Sequence, residues 1–264
     1  MQPILKPIVL ASAWYPRGEL SRFQKLYGQL SEAYSRMVIS LPPEVDRVLV
    51  QELQDTSDSI DVILTPEWSW GRFLALKKAR DADPHHIHYA DFDRLLRWVE
   101  TQPKEWQQIV GVIPKVDCLI LGRSEAAYRT HPQALVRTER ISNLVISELI
   151  GRPMDVSAGS KIFSYKAAEF ILTHSKPGRA LGTDGEWPLI LKRGGFAIDY
   201  LEVDGLDWEI ADNFQSSAAD RNRQQRLAQE YDADVLHWAQ RVDIAVEIVQ
   251  SGLEAARREI ANLG

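Results

Sequence analysis

An α/β fold, with a mostly parallel central sheet flanked by helices and a helical extension at the C-terminal end, is what this sequence predicts. Three observations carry that reading. Short apolar runs alternate with stretches of helical periodicity between residues 7 and 203, the order that builds a parallel sheet with helices on its faces. After Trp208 the alternation stops, and an apolar residue recurs mostly every three or four positions. No internal repeat or low-complexity linker interrupts the chain. Residues 1–210 therefore read as one domain and residues 211–264 as an appended helical segment.

The elements follow in order. Pro7–Ala13 is the first strand. Leu20, Phe23, Leu26, Tyr27, Leu30 and Tyr34 share one face of a helix over Glu19–Arg36. Met37–Leu41 is the second strand, closed by Pro42 and Pro43, which cannot donate to a ladder. A helix over Glu44–Gln54 leads to a third strand, Ile60–Leu64. Gly71–Arg80 is helical, His86–Ala90 is a strand, and a helix runs from Arg94 through Glu100. Val116–Leu121 is a further strand and Thr138–Ile150 a helix. Ser160–Ser164 is short and extended, Tyr165–Thr173 helical, Glu186–Arg193 helical, and Phe196–Val203 the last strand. In the extension, Leu227, Tyr231, Trp238, Val242, Val246, Val249, Leu253, Ala256, Ile260 and Leu263 form an apolar stripe. It belongs to one long amphipathic helix or to two joined near Asp232. The opposite face mixes Glu247, Glu254, Arg257, Arg258 and Glu259, whereas a membrane-surface helix is basic there. The stripe thus packs on protein, either the domain itself or a second copy in a homodimer.

Composition narrows the classes. A chain of 264 residues with 45% hydrophobic content buries a full core. One cysteine, Cys118, excludes an internal disulfide framework and suits a reducing, cytoplasmic setting. The start, Met1 to Pro7, is too short and interrupted for a signal peptide. No apolar run approaches the ~20 residues of a transmembrane segment. A net charge of −6 argues against broad nucleic-acid binding. An anionic ligand would need a metal, or a few local Lys and Arg residues, to neutralise it.

Two carboxylates one residue apart, Asp91 and Asp93, follow the His86–Ala90 strand. In a strand, residues two apart project to the same side, so this pair could converge on one hard cation that in turn holds a diphosphate. Two other such pairs, Asp81/Asp83 and Asp232/Asp234, sit at a helix end and inside a helical pattern. Asp91 equally suits a helix N-cap, worth ~1 kcal/mol. A second acidic motif, Asp184-Gly185-Glu186, precedes a helix and follows Gly182. One of its carboxylates suits a general base for an acceptor hydroxyl, or both complement a helix dipole. Gly182 and Gly185 read as loop glycines that let the backbone approach a ligand.

The order of strand, Asp91-Phe92-Asp93, then Asp155 to Ser164, then Gly182 to Pro188, resembles the GT-A glycosyltransferases, closest to the family-2-like group that includes the dolichol-phosphate mannose synthases. Gly71 to Leu76 resembles the helix opening that precedes the family's D-x-D strand, and Leu121-Gly122-Arg123 the turn after the next strand. The resemblance covers about residues 7 to 208. It implies a GT-A (Rossmann-like) sheet and a nucleotide-diphosphate sugar as donor, with Mg²⁺ or Mn²⁺ as cofactor and a small or lipid-linked acceptor. It places Ser12, Ala13, Gly71, Arg72, Asp91, Arg123, Ser157 and Gly159 at the donor. It also places Asp91 and Asp93 at the metal, and Asp184 and Glu186 in catalysis. The chain departs from the family after the second strand, where Ser40-Leu41-Pro42-Pro43 replaces an acidic turn.

Other classes fare worse. No G-x-S-x-G, P-loop or dinucleotide glycine motif occurs. A nucleotidyltransferase making a nucleotide sugar would carry a Gly-rich basic loop after the first strand, where Ala13 to Gly18 offers one glycine. A sugar-nucleotide-binding module without turnover is the third alternative. His85, His86 and His88 lack a matching Cys or His pair for zinc and read as non-catalytic, with His88 facing the core. Trp68 and Trp70 are aromatic candidates for stacking on a base or sugar.

Overall fold

Strand alternation survives in three dimensions with shifted ends. The computed structural model describes residues 8–112 and 114–259, so Pro7, Ile260 and Leu263 lie outside the described residues. Seven strands form one sheet: β1 (Ile8–Ala13), β2 (Arg36–Leu41), β3 (Ile60–Leu64), β4 (His86–Ala90), β5 (Cys118–Arg123), β6 (Ser160–Ser164) and β7 (Ile198–Val203). Their spatial order is β3-β2-β1-β4-β6-β5-β7. The short segment Ser160–Ser164 runs antiparallel between β4 and β5, and the other pairings are parallel. Since β1 pairs with β2 on one side and β4 on the other, the strand order reverses there. Open α/β sheets take ligands outside the carboxyl ends at such a point.

Helices α1 (Leu20–Ala33), α2 (Arg47–Thr56), α3 (Gly71–Arg80), α4 (Phe92–Thr101), α5 (Pro103–Val110), α6 (Glu125–Tyr128), α7 (Gln133–Ile150), α8 (Tyr165–His174) and α9 (Thr183–Arg193) connect the strands. Period-2 alternation splits β1 between two cores. Ile8 and Leu10 join α1, α2, α4 and α5, and Val9 and Ala11 join α3, α8 and α9. The helix expected over Glu44–Gln54 starts three residues later, because Asp46 accepts from Val48 N (2.9 Å) as its N-cap. α5 begins at Pro103, a favoured first helical position, and had no counterpart in the sequence reading.

The extension is two helices, α10 (Arg221–Ala233) and α11 (Val235–Arg257), broken where Asp234 caps α11 by accepting from Leu236 N (2.9 Å). Asp232 therefore lies in the last turn of α10 and Asp234 at the junction, which is the two-helix alternative with its join near Asp232. Asp232 meanwhile accepts from Gln133 N and Ala134 N (2.7 and 2.8 Å), the orphan donors that open α7. Ala245, Ile248 and Ala255 are buried where α11 packs on α7 and α9 of the same chain. Val242 and Val246, assigned to the same stripe, are 50% and 46% exposed.

That packing corrects the reading of two glycines. Gly185 lies inside α9, and Gly182 in the turn that opens it. A Cβ on Gly185 would meet Ile248 O at 2.3 Å, and one on Gly182 would meet Ser251 Oγ at 2.2 Å. Both are small so that α11 can approach, not so that a ligand can.

Candidate active-site cleft

A cleft of about 190 Å³ opens at the carboxyl ends of β1 to β4, between the start of α3 and the start of α4. Ala13, Ser40, Thr65, Gly71 and Arg72 form one side, and Asp91, Asp93, Arg94 and Glu209 another. Trp68 and Tyr15, each 58% exposed, stand at its mouth. The acidic pair is at its floor, but strand geometry does not put it there. β4 ends at Ala90, and Asp93 already belongs to the first turn of α4.

The two aspartates have different surroundings. Asp91 sits at the N-cap position of α4 without capping it. Its carboxylate instead takes Arg72 Nη2 (3.1 and 2.8 Å) and the Tyr89 hydroxyl (2.7 Å). Gly159 makes room for this. Its φ is +69°, and a Cβ there would fall 2.3 Å from Asp91 Oδ2, so only glycine fits. Its carbonyl accepts from Asp91 N (3.0 Å). Asp93 has one described hydrogen bond, from Arg94 N (2.9 Å), and no ion-pair partner among the described residues. Burial, then repulsion from Glu209 and Asp91, raises its pKa from 3.8 to about 7.

Glu209 was missed in the sequence. Its Oε1 pairs with Arg94 Nε (3.2 Å), and its Oε2 is buried without a partner. Burial opposes its ionisation, but Arg94 and His131 outweigh burial and hold the carboxyl below its usual value. No motif surrounds Glu209 in the chain; only the fold brings it beside a residue 116 positions earlier.

Asp184 anchors the other end of Arg72. Arg72 Nη1 meets Asp184 Oδ2 (2.8 Å) and Thr183 Oγ1 (3.2 Å), while Lys161 Nζ meets Asp184 Oδ1 (2.6 Å). Burial alone would raise the Asp184 pKa, but Arg72 and Lys161 outweigh it and depress the value. The carboxylate is 3% exposed, and both its oxygens are in ion pairs. A group so placed holds cations well and accepts protons badly.

Four sequence-selected residues lie elsewhere. Glu186 is fully buried and takes the Ser175 hydroxyl (2.5 Å), Arg258 (2.9 Å) and Arg179 (3.5 Å), so it ties α9 to the end of α11. Arg123 is buried between Asp155 (2.7 Å) and Glu139 (2.5 Å) and borders a separate cavity of about 540 Å³. Ser12 donates to Ala90 O and fastens β1 to β4 from below the cleft. Ser157 turns its hydroxyl to Asn143 Oδ1 (2.9 Å), and only its carbonyl reaches Arg94 (3.3 Å). His88 is a core residue as expected, held by Tyr34 (2.7 Å) and Ser160 (2.9 Å). Trp70 does not border the cleft.

The donor set fits a divalent cation. Two buried carboxylates repel each other, and one oxygen is orphaned, which is what a cation relieves. Magnesium and manganese complete their shells with phosphates and water around one or two protein carboxylates. Asp91, beside Asp93 and Glu209, already takes Arg72 and the Tyr89 hydroxyl. Among the described residues no three His, Cys, Asp or Glu side chains are already gathered around a metal position.

No protein-family model matches the chain, and no curated protein matches it in sequence. Solved structures do match it in shape. Glucosyl-3-phosphoglycerate synthase from Mycobacterium tuberculosis, in complex with Mn²⁺, UDP and phosphoglyceric acid, superimposes with a TM-score of 0.51 at 10% identity over 97% of this chain and 80% of that one. Mannosyl-3-phosphoglycerate synthase from Rubrobacter xylanophilus does so with a TM-score of 0.51 at 14% identity over 97% and 78%. The fold is that of the GT-A glycosyltransferases. A mycobacterial protein matches at a TM-score of 0.47 and 13% identity over 75% of this chain, which spans 66% of that protein's length. Among the described residues, no helix of this GT-A fold is long and apolar enough to cross a membrane.

Proposed function

We propose that this protein is a metal-dependent glycosyltransferase that moves a sugar from a nucleotide-diphosphate sugar to an acceptor hydroxyl. The observation that carries the reading is the charge balance of the cleft. Two arginines, Arg72 and Arg94, face three carboxylates, Asp91, Asp93 and Glu209. Each arginine already has an acidic partner. A diphosphate entering this cleft therefore needs added positive charge, and Asp93 with Glu209 are the groups placed to hold it. The shape match to nucleotide-sugar enzymes, one of them crystallised with Mn²⁺ and UDP, supports the same reading.

The roles follow from position. Asp93 and Glu209 would hold Mg²⁺ or Mn²⁺ here, and such a cation would supply charge neutralisation for the leaving diphosphate. The start of α3, at Gly71, borders the same cleft and sets the positive end of its dipole toward the ligand. Ala13 lets the donor lie close to β1, and Arg72, fixed by Asp91 and Asp184, holds a guanidinium at the phosphates. Asp184 acts as the buried anchor of Arg72 and Lys161. Trp68 offers an exposed ring to the nucleobase.

A sugar-nucleotide-binding module without turnover is the second reading. One observation favours it: neither Asp184 nor Glu186 presents a free carboxylate to the cleft. The experiment is a melting-temperature panel of UDP-, GDP- and ADP-sugars with and without Mn²⁺, followed by transfer and donor-hydrolysis assays with the best donor. A metal-dependent rise with at least one nucleotide sugar is expected through mass action. No rise with any of them would remove the nucleotide-sugar reading, and binding without release of the sugar to water or acceptor would leave the module.

A further inference from the structure

The cavity beside Arg123, about 540 Å³ against about 190 Å³ for the cleft, has the size of a small-molecule site. It lies between α7 and β7, the last strand on that side of the sheet. α7 and the turn after it line it from Arg140 to Gly151, roughly 16 Å at the rise of an α-helix. Its shape is therefore that of a groove. Arg123, the last residue of β5, is at one end, and Arg152, near the start of β7, at the other. β5 stands two strand spacings from β4, roughly 10 Å, so the Arg123 end shares the carboxyl edge of the sheet with Asp91. Residues 155–159 are the partition. Asn143, on the groove side, accepts from Val156 N and Ser157 N (3.1 and 3.3 Å). On the cleft side, Ser157 O takes Arg94 and Gly159 O takes Asp91 N.

The lining selects among ligands. Its guanidiniums are engaged: Arg123 with Asp155 and Glu139, Arg152 with Asp199 (3.1 Å), and Arg140 near Glu125 (3.8 Å). Glu148 and Glu202 add negative charge and have no ion pair among the described residues. A phosphate or carboxylate ligand would meet repulsion here, and an acyl chain would meet charged side chains along the walls. A neutral ligand with apolar faces and many hydroxyls meets neither obstacle. Tyr128, Tyr200, Leu144, Pro153 and Met154 offer it flat apolar surface, and the charged rim offers strong donors and acceptors for its hydroxyls. Both tyrosines are fixed in advance. A Cβ on Gly122 would collide with the Tyr200 ring, so glycine is what lets that ring lie against β5. Tyr128 is stacked 4.4 Å from the Arg123 guanidinium. Rigid tyrosines give contact area at little entropic cost.

We propose that this groove binds a neutral oligosaccharide, more than one sugar long, beside the transfer cleft. Its use, holding the acceptor chain behind the reacting sugar, rests on the glycosyl-transfer reading; the binding itself does not.

The test uses the full chain without nucleotide or metal. Saturation-transfer NMR is measured with maltotriose, cellotriose, mannotriose and chitotriose, with glucose as the single-sugar control and trigalacturonate as the anionic one. At least one neutral trisaccharide should receive saturation, glucose less, and trigalacturonate none. Tyr200→Ala should weaken that trisaccharide by at least about 10-fold, the usual cost of truncating a tyrosine anchor. Location is read separately from that variant. A nitroxide on Leu144→Cys, at a position 62% exposed, should broaden the bound saccharide, and native Cys118 is buried and escapes labelling. The same label on Glu67→Cys, exposed beside Trp68 at the cleft mouth, should not. No saturation of any neutral trisaccharide, a preference for trigalacturonate, an affinity unchanged in Tyr200→Ala, or broadening from position 67 alone overturns the groove. The nucleotide-sugar reading survives each of these results, because the melting-temperature panel tests it on different ligands.

Discussion

Arg72 and Arg123 are both buried arginines set between two carboxylates at the carboxyl edge of one sheet, yet their surroundings balance differently. Arg123 is enclosed by Asp155 and Glu139, with Tyr128 stacked 4.4 Å from its guanidinium. Asn143 completes the shell by donating to Asp155 Oδ1 (2.7 Å). Arg72 is held just as firmly by Asp91 and Asp184, but two more carboxylates lie beyond it with too little positive charge between them. The first cluster holds a loop to a strand end. The second leaves an unmet demand for a cation at the place where such sheets bind ligands. Perturbed groups concentrate where function does, and the useful distinction here is between a network whose buried carboxylates all have partners, although Arg123 Nη1 has none, and one that leaves a carboxylate oxygen unpaired.

The largest expected effect breaks the first cluster. Arg123→Ala leaves Asp155 and Glu139 buried without their cation and should cost about 3–5 kcal/mol in urea unfolding. Nucleotide affinity of the folded fraction should stay unchanged. The pH dependence of the same cluster has a definite sign. Burial opposes ionisation of Asp155, but Arg123 outweighs it and holds the carboxyl below its ordinary 3.8. Its contribution to stability is therefore complete above that value and is lost as pH falls through the lower folded one. Asp155→Asn should flatten the acid limb of the stability curve below about pH 4, and an unchanged limb would show that Arg123 does not hold this group.

Next in size is Asp184→Asn. An anchor for Arg72 and Lys161 should show itself as a raised KM for the donor and a lower melting temperature. Its effect on kcat should fall short of the ~10²–10⁴ that a general base contributes. A kcat loss inside that range with unchanged donor affinity would instead make Asp184 the base.

The order of strands and helices was legible because hydrophobic periodicity is written locally. The position of Asp91 and Asp93 at the end of β4 was legible for the same reason. What they bind was not, because a carboxylate's partner is chosen by the fold. Arg72 reached Asp91 from α3, while Glu209 came to Asp93 from a segment beyond β7. Gly182 and Gly185 show a second limit. A glycine that admits a ligand and one that admits a neighbouring helix look identical in a sequence, and only the position of α11 separates them.

A smaller effect is expected at the cleft mouth. Trp68 is 58% exposed, so Trp68→Ala should leave stability within about 0.5 kcal/mol. If its ring stacks on the base, donor affinity should fall by about 1–3 kcal/mol, the usual worth of base–aromatic contact. Equal affinities would move base recognition to Thr65 and Ser69.

The central claim is that Asp93 and Glu209 supply the unmet demand for a cation. The most direct measurement is calorimetric titration of the best nucleotide sugar into the parent protein and Asp93→Asn, each with and without Mn²⁺. The account predicts that Mn²⁺ tightens donor binding in the parent and does nothing in Asp93→Asn, while the variant melts no lower than the parent because a repelling charge has gone. Metal-dependent tightening that persists undiminished in Asp93→Asn would contradict it.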